Sequence, residues 1–267
     1  MPTPPAATCA VPVHVQLLGG FAVTAESGVV HLPHHAERLL AFLALQARPQ
    51  PRGVVAAALW SDADERRAAA NVRTAVWRVR AASPRLLSLP GRQLQLHPDV
   101  QIDLSSAVSQ ARELLDGPVI TPAQDSGAAA ARAGLIRLDA DLLPMWEEPW
   151  VTFERERLRQ LRMHALEALS LRLSGEGRHA GAVEAGRLAV ALEPLRESGR
   201  EVLILAHLAH GNIVEASREL EDYRTVLLAD LGVSPSLELT RLVATPATAP
   251  RQRHPPGGAR PPGAADG

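Results

Sequence analysis

The sequence predicts an α+β unit followed by an all-α unit. Three observations predict it. Residues Val13 to Leu32 alternate apolar and polar side chains between glycine turns, the pattern of short paired strands. Three helical periods and a hairpin signature follow before Asp103. From Val151 to Leu231 helical patterns dominate, with breaks at Ser174-Gly175-Glu176-Gly177, Glu193-Pro194 and Gly211-Asn212.

The stretch VHVQLLGGFAVTAESGVVHL turns at Gly19-Gly20 and Ser27-Gly28, which predicts three short antiparallel strands. This sheet is too small to stand alone, so other elements must cover its apolar face. In PHHAERLLAFLALQARP, Ala36, Leu39, Leu40 and Leu43 recur at helical spacing. His34-His35 reads as the start of that helix, and Pro49 and Pro51 end it. RGVVAAALW predicts a shorter second helix that stops near Trp60-Ser61. DADERRAAANVRTAVWRVRAA predicts a third, with acids in its first turns and arginines toward its end, as the helix dipole favours. Ser83-Pro84 closes it. RLLSLPGRQLQLH then reads as strand, turn at Pro90-Gly91, strand. A small sheet, three helices and a hairpin is the layout of a winged helix-turn-helix with an extra N-terminal sheet. The second helix would support, the third would recognise, and the hairpin would be the wing.

On the third helix Val72, Ala75, Val76 and Val79 share one narrow apolar face, expected to pack on the first helix and the sheet. Arg73, Trp77 and Arg80 follow a neighbouring stripe, and Arg67, Asn71, Thr74 and Arg78 another. A major groove admits one helix; Arg can fork to guanine, Asn to adenine, and Thr can touch a thymine methyl. Arg92, beside Pro90-Gly91 at the hairpin tip, is placed to meet the minor groove or its phosphates. Two features of Trp77 and the arginines stay open. Trp77 can be half-buried core or a DNA contact. The acids of the first turn can pair with Arg66 or Arg67 and offset part of the charge.

Charge supports the placement of this face. The whole chain carries a formal net charge of −1, yet from Arg52 to Arg92 eight arginines meet three acids, a local net charge of +5. The arginine count itself says little, because all 28 basic residues are arginine and GC-rich coding bias produces that outcome. Aromatics are only 3% while 46% of residues are apolar, so cores must be built from Ala, Leu and Val, which favours helix packing.

After Asp103 the character changes. LSSAVSQARELL starts a helix with Asp103 or Ser105 as N-cap. DGPVITPAQDSGAA is expected as a loop, AAARAGLIRL as a helix, and DADLLPMWEEPW as a connector. GRHAGAVEAG begins at Gly177 and GNIVEASREL at Gly211, an offset of 34 residues that also relates Ala182 to Ala216. That is the tetratricopeptide period of a helix-turn-helix unit. From Thr245 onward the chain is rich in Pro and Gly and lacks apolar anchors, the composition of a disordered tail. The expected organisation is a disordered start at 1–12, a DNA-binding domain at 13–103, a helical domain at 104–243 and a tail at 244–267.

The segments LLGGFAV, ERLLAFLAL, VVAAALW, NVRTAVWRVR and VQIDLSSAV, in this order, resemble the Streptomyces antibiotic regulatory protein family. LLPMWEEPWVTFERERLRQLRMHALEAL and YRTVLLADLGVSPSLEL resemble the bacterial transcriptional activation domain of the same proteins. The resemblance covers about Val13 to Leu242 and implies a winged helix of response-regulator output type, followed by a tetratricopeptide-like module. It implies a cytoplasmic transcriptional activator of a secondary-metabolite gene cluster. Its partners would be double-stranded promoter DNA with direct repeats, bound as a homodimer, and the RNA polymerase holoenzyme. The recognition helix carried over is Asn71 to Arg80, with Arg73, Thr74, Trp77, Arg78 and Arg80 on its outer face, and the wing is Leu86 to Leu96. Two departures stand out: HHAER opens the first helix where relatives often carry Lys or Arg, and the LPGRQ loop is short. A stand-alone member without receiver or ATPase module is expected.

Enzyme and metal readings find little support. GGF lacks the context of a phosphate loop. Cys9 is the single cysteine, so neither a disulfide framework nor a multi-cysteine metal site is expected. His207 and His210 share one helix without a completing ligand and are expected to pack. Glu147-Glu148 and Glu154-Glu156 read as solvated acids or partner contacts. No cofactor is expected, and no apolar run approaches the ~20 residues of a membrane span. MPTPPAATCAVP lacks the basic and apolar regions of a signal peptide. The alternative from another class is a tetratricopeptide-like interaction scaffold whose N-terminal domain no longer binds DNA.

Overall fold

The computed structural model describes residues 13–25, 28–46, 48–116 and 140–244. It is mostly helical with a small N-terminal sheet. Strands β1 (Val13–Gln16), β2 (Ala22–Ala25) and β3 (Gly28–Val29) form where the alternation predicts them. Helices α1 (His34–Gln46), α2 (Arg52–Leu59) and α3 (Glu65–Ala82) follow. Strands β5 (Leu87–Ser88) and β6 (Gln93–Leu96) make the expected antiparallel hairpin, which turns at Gly91.

Two strands escape the sequence pattern. β4 (Gln50–Pro51) adds to β6 and completes a three-stranded sheet in the order β4-β6-β5. Pro51, expected only to end the first helix, therefore also closes a sheet edge, where a missing N–H is tolerated. β7 (Val100–Ile102) pairs in parallel with β1, so the N-terminal sheet has four strands in the order β3-β2-β1-β7.

Helix α3 is capped by Asp64, whose carboxylate accepts from the Arg67 N–H at 2.8 Å. Its apolar stripe of Val72, Ala75, Val76 and Val79 is buried, as the periodicity requires. Helix α3 packs on α1, as expected, and also on α2 and strand β5 of the hairpin, and its stripe shares one core with the buried valines of the N-terminal sheet. The valines are short and β-branched, so the helices approach closely and the outer face of α3 is held in one orientation.

Helix α4 (Asp103–Asp116) opens the second half, and α5 (Pro149–Gly175), α6 (His179–Leu192), α7 (Glu197–Ala209), α8 (Ile213–Leu231) and α9 (Leu237–Ala244) complete it. Consecutive helices from α5 to α9 pack on one another, and α4 packs on α5. The helix expected at AAARAGLIRL, most of the DGPVITPAQDSGAA loop, Cys9, the start 1–12 and the segment from Thr245 lie outside the described residues.

The 34-residue echo is geometric. Gly177 and Gly211 both take a left-handed conformation, with φ of 73° and 82°. After each, the next residue's N–H returns to a carbonyl five residues back, Arg178 to Leu173 O at 2.9 Å and Asn212 to His207 O at 2.9 Å. Ala182 and Ala216 then enter at full burial.

Asp103, expected as a possible N-cap, is the first residue of α4 and bonds well beyond that helix. Its carboxylate accepts from the N–H groups of Leu17 (2.9 Å), Leu18 (3.0 Å) and Leu104 (2.7 Å). On the other side of the same backbone, Leu143 N donates to Leu17 O at 2.9 Å and Gly19 N to Asp141 O at 2.7 Å. Arg155 on α5 donates to the carbonyls of Leu142, Leu143 and Trp146 and so ties the connector to the helical half. Buried side chains from both halves consequently form one continuous apolar core, while Ile204, Ala216, Leu220, Tyr223, Leu227 and Leu239 form a second, distal one.

Helix α6 approaches α7 at Gly186, where an added Cβ would lie 3.0 Å from Leu203 Cα and 3.1 Å from its Cβ. At Gly199 the nearest atom would be 3.7 Å away, an ordinary contact. Gly186→Ala is therefore expected to lower stability by about 1–2 kcal/mol, through overpacking. Gly199→Ala should be neutral or stabilising by up to ~1 kcal/mol, through reduced chain entropy. Urea unfolding of the two variants checks the opposite signs.

Candidate nucleic-acid interface

Each residue singled out on the third helix can now be placed. Arg67, Arg73, Thr74, Trp77, Arg78 and Arg80 are exposed on α3, and Asn71 is half-buried between them and the apolar stripe. Arg92 is exposed at the hairpin turn, between Gly91 and Gln93. The α3 residues thus form one surface, because the valine stripe fixes the opposite face. The Thr74 hydroxyl donates to Ala70 O at 3.1 Å, which satisfies the hydroxyl within the helix and leaves the methyl as the contact group.

The open question on Trp77 is decided by its exposure of 60%. It is not core. The Arg78 guanidinium lies over its ring, 4.9 Å from the centroid. The expected neutralisation of Arg66 or Arg67 by first-turn acids does not occur among the described residues. Asp64 is spent on the helix cap, and among the described residues none of the arginines of α3 forms an ion pair.

A groove of about 810 Å³ runs between α2 and α3, with Ala56, Trp60, Ala68 and Val72 along it and Arg52 and Arg73 at its edges. Arg52 of α2 and Arg73 of α3 thus line the same groove. Nothing in sequence spacing signals that, since the two arginines belong to different helices.

The other residues weighed in the sequence have structural roles. Glu148 is not a solvated acid: it is half-buried and pairs with Arg38 at 2.9 Å, and Arg38 also donates to Leu59 O at 2.8 Å. Glu147 is exposed, as expected. Glu154 pairs with Arg157 at 3.5 Å and Glu156 with Arg159 at 3.0 Å. Arg159 also meets Glu193 at 2.5 Å, and both carboxylates hold its guanidinium in the charged form. His34 starts α1 and stands edge-on to Trp146. Among the described residues no cluster of three His, Cys, Asp or Glu could hold a metal, and no helix is long and apolar enough to cross a membrane.

The bacterial transcriptional activator domain matches residues 99–245, which is more than half of the chain. The chain belongs to this family. Two curated relatives are called regulatory protein AfsR. The one from Streptomyces coelicolor is 30% identical over 227 residues, covering 79% of this chain and 21% of that protein. The one from Streptomyces griseus is 31% identical over 228 residues, covering 79% of this chain and 22% of that protein. This chain therefore spans about a fifth of their length. Among solved structures, Mycobacterium tuberculosis EmbR in complex with a low-affinity phosphopeptide superposes with a TM-score of 0.63 at 21% identity, over 88% of this chain and 64% of that one. That likeness is one of fold. The resemblance to Streptomyces antibiotic regulatory proteins drawn from the residues holds, and the family is one of transcriptional regulators.

Within the activator-domain half, His207 is 3% exposed and neither ring nitrogen has a partner. His210 caps α7 and stacks on His179, with ring centroids 5.3 Å apart. Burial pushes the His207 pKa below its ordinary value; Glu219 and Glu215 oppose this, and Arg187 and His210 add to it. The unfolded chain therefore takes up a proton near pH 6.5 while the folded chain resists it, so stability falls as pH drops below that value. His207→Leu is expected to flatten the decline in thermal midpoint between pH 7 and pH 5. An unchanged slope in the variant would show that His207 is not its source.

Proposed function

We propose that this chain is a sequence-specific, DNA-binding transcriptional activator that reads promoter DNA through α3. The observation that carries the reading is the outer face of α3: exposed Arg67, Arg73, Arg78 and Arg80 without ion pairs, on a helix whose opposite face is locked by buried valines. A DNA contact needs unspent donors and unspent charge. On this reading the N-terminal part, 13–103, is a winged helix-turn-helix of response-regulator output type, with the β5–β6 hairpin as its wing. Residues 104–243 are a tetratricopeptide-like activation domain, supported by the repeated turns at Gly177 and Gly211.

Arg73, Thr74 and Arg78 are assigned to base edges, with Asn71 behind them, and Arg67, Arg80 and Arg92 to phosphates. Trp77 lies among the base-reading group. By family, the DNA would be direct repeats bound by a homodimer in the cytoplasm, with RNA polymerase as the recruited partner and a secondary-metabolite cluster as the regulated target.

Duplex binding measured against salt tests the reading. Each phosphate contact contributes about 0.9 to the slope of log affinity against log salt. No duplex binding at low micromolar protein and low salt would favour the scaffold alternative. Arg73→Ala and Arg78→Ala are each expected to remove about 1–3 kcal/mol of discrimination at one base position without altering thermal unfolding. Arg92→Ala should instead weaken binding uniformly across sequences and reduce the salt slope by about 1. Selection of bound DNA from a random pool, followed by titration of each variant, distinguishes the two patterns.

A further inference from the structure

We propose that Trp77 is the positioning residue for Arg78, and that Arg78, held over the indole, is the group that reads a guanine. The inference rests on the assignment of α3 to DNA and adds a division of labour within that face.

An indole that is 60% exposed contributes little to the core, so packing does not explain its place. Its helix neighbours at i−4, i−3, i+1 and i+3 are Arg73, Thr74, Arg78 and Arg80, all exposed. The ring is thus the one large apolar group at the centre of the cationic surface. Arg78 lies over it with Cζ 4.9 Å from the centroid and has no carboxylate partner.

Arginine carries ~2 kcal/mol of side-chain rotamer entropy, which a DNA contact must otherwise remove on binding. Two devices can restrain it beforehand. An ion pair does so by consuming N–H donors and cancelling charge. A ring face does so through the cation–π contact, which engages the flat of the guanidinium and leaves its N–H fork free in the plane. Guanine recognition requires that fork, two parallel donors to O6 and N7.

Several arginines of the helical half are restrained by the first device. Arg200 also lies over a ring, that of Tyr223 at 5.7 Å, but it is tied to Glu219 at 2.6 Å and largely buried. Arg159, Arg196 and Arg224 are likewise held by carboxylates. Arg78 is restrained by a ring and keeps both its charge and its donors.

The test uses the full chain and a duplex site obtained by selection from a random pool. Affinity is measured on that site and on copies in which single guanines are replaced by 7-deazaguanine, which lacks the N7 acceptor. The parent protein should lose about tenfold at the guanine read by Arg78. Trp77→Leu should lose about tenfold on the unmodified site and become insensitive to that replacement. Trp77→Phe, which keeps a ring face, should retain most of both. All three should share one salt slope and one thermal midpoint, because no charge and no core residue changes.

Equal behaviour of the Leu and Phe variants would overturn the proposal. So would a Leu variant that still senses the missing N7. If the affinity lost in Trp77→Leu instead tracks a thymine-to-uracil replacement, Trp77 contacts a thymine methyl itself and does not act through Arg78. Absence of salt-dependent duplex binding by the parent protein would overturn the DNA-binding assignment before Trp77 is tested at all.

Discussion

A short piece of backbone, Leu17 to Gly19, holds the two halves of this molecule together. It follows β1, an inner strand of the N-terminal sheet, and is gripped on both sides. The Asp103 carboxylate takes the Leu17 and Leu18 N–H groups, and the connector at Asp141–Leu143 takes the carbonyl of Leu17 and the N–H of Gly19. Buried backbone groups without such partners would cost about 1–3 kcal/mol each. Asp103 also begins α4, so a single side chain sets the distance between the sheet and the first helix of the second half.

From that joint the order of the structure propagates to α3. Trp146 of the connector and Trp150 in the first turn of α5 stand edge-on to each other and reach Phe21, His34 and Phe42. Glu148, between them, pairs with Arg38 of α1, and Arg38 holds the last carbonyl of α2 at Leu59. Helices α1 and α2 are the surfaces on which α3 is laid. The connector is therefore linked to α3 through two packed helices and one arginine. A continuous apolar core runs across the joint and includes the buried stripe of α3.

Most helices were legible in the sequence because they are long enough to show their period and are bounded by Pro, Gly or a cap; the eight-residue α9 was not. The buried stripe of α3 is read directly from Val72, Ala75, Val76 and Val79. β4 and β7 were not legible: two or three residues cannot display an alternation, and both exist only because a distant strand offers an edge. Glu148 read as solvated because its partner lies 110 positions earlier in the chain, a separation to which local patterning is blind. Trp146 and Trp150 flank the Glu147-Glu148 pair at a spacing of four. In a chain with so few aromatics that spacing was the available signal for a buried anchor. The exposure of Trp77 could not be settled from its stripe, which borders core and solvent alike.

The distribution of paired and unpaired arginines says more than their number. Evenly spread arginine is what composition alone would produce, and in the helical half it is answered by carboxylates: Arg159 by Glu156 and Glu193, Arg196 by Glu167, Arg200 by Glu219, Arg224 by Glu221. Such exposed or half-exposed pairs add little stability individually. Their consequence is electrostatic. They answer these arginines locally, whereas among the described residues no arginine of α3 is so paired. The near-neutral charge of the whole chain conceals a segment, Arg52 to Arg92, with a net charge of +5. The same partition accounts for Trp77 among the arginines. On the proposed DNA-contacting face, which would have to keep its charge, a carboxylate is the wrong restraint for a long side chain, and an aromatic ring supplies one that removes no charge.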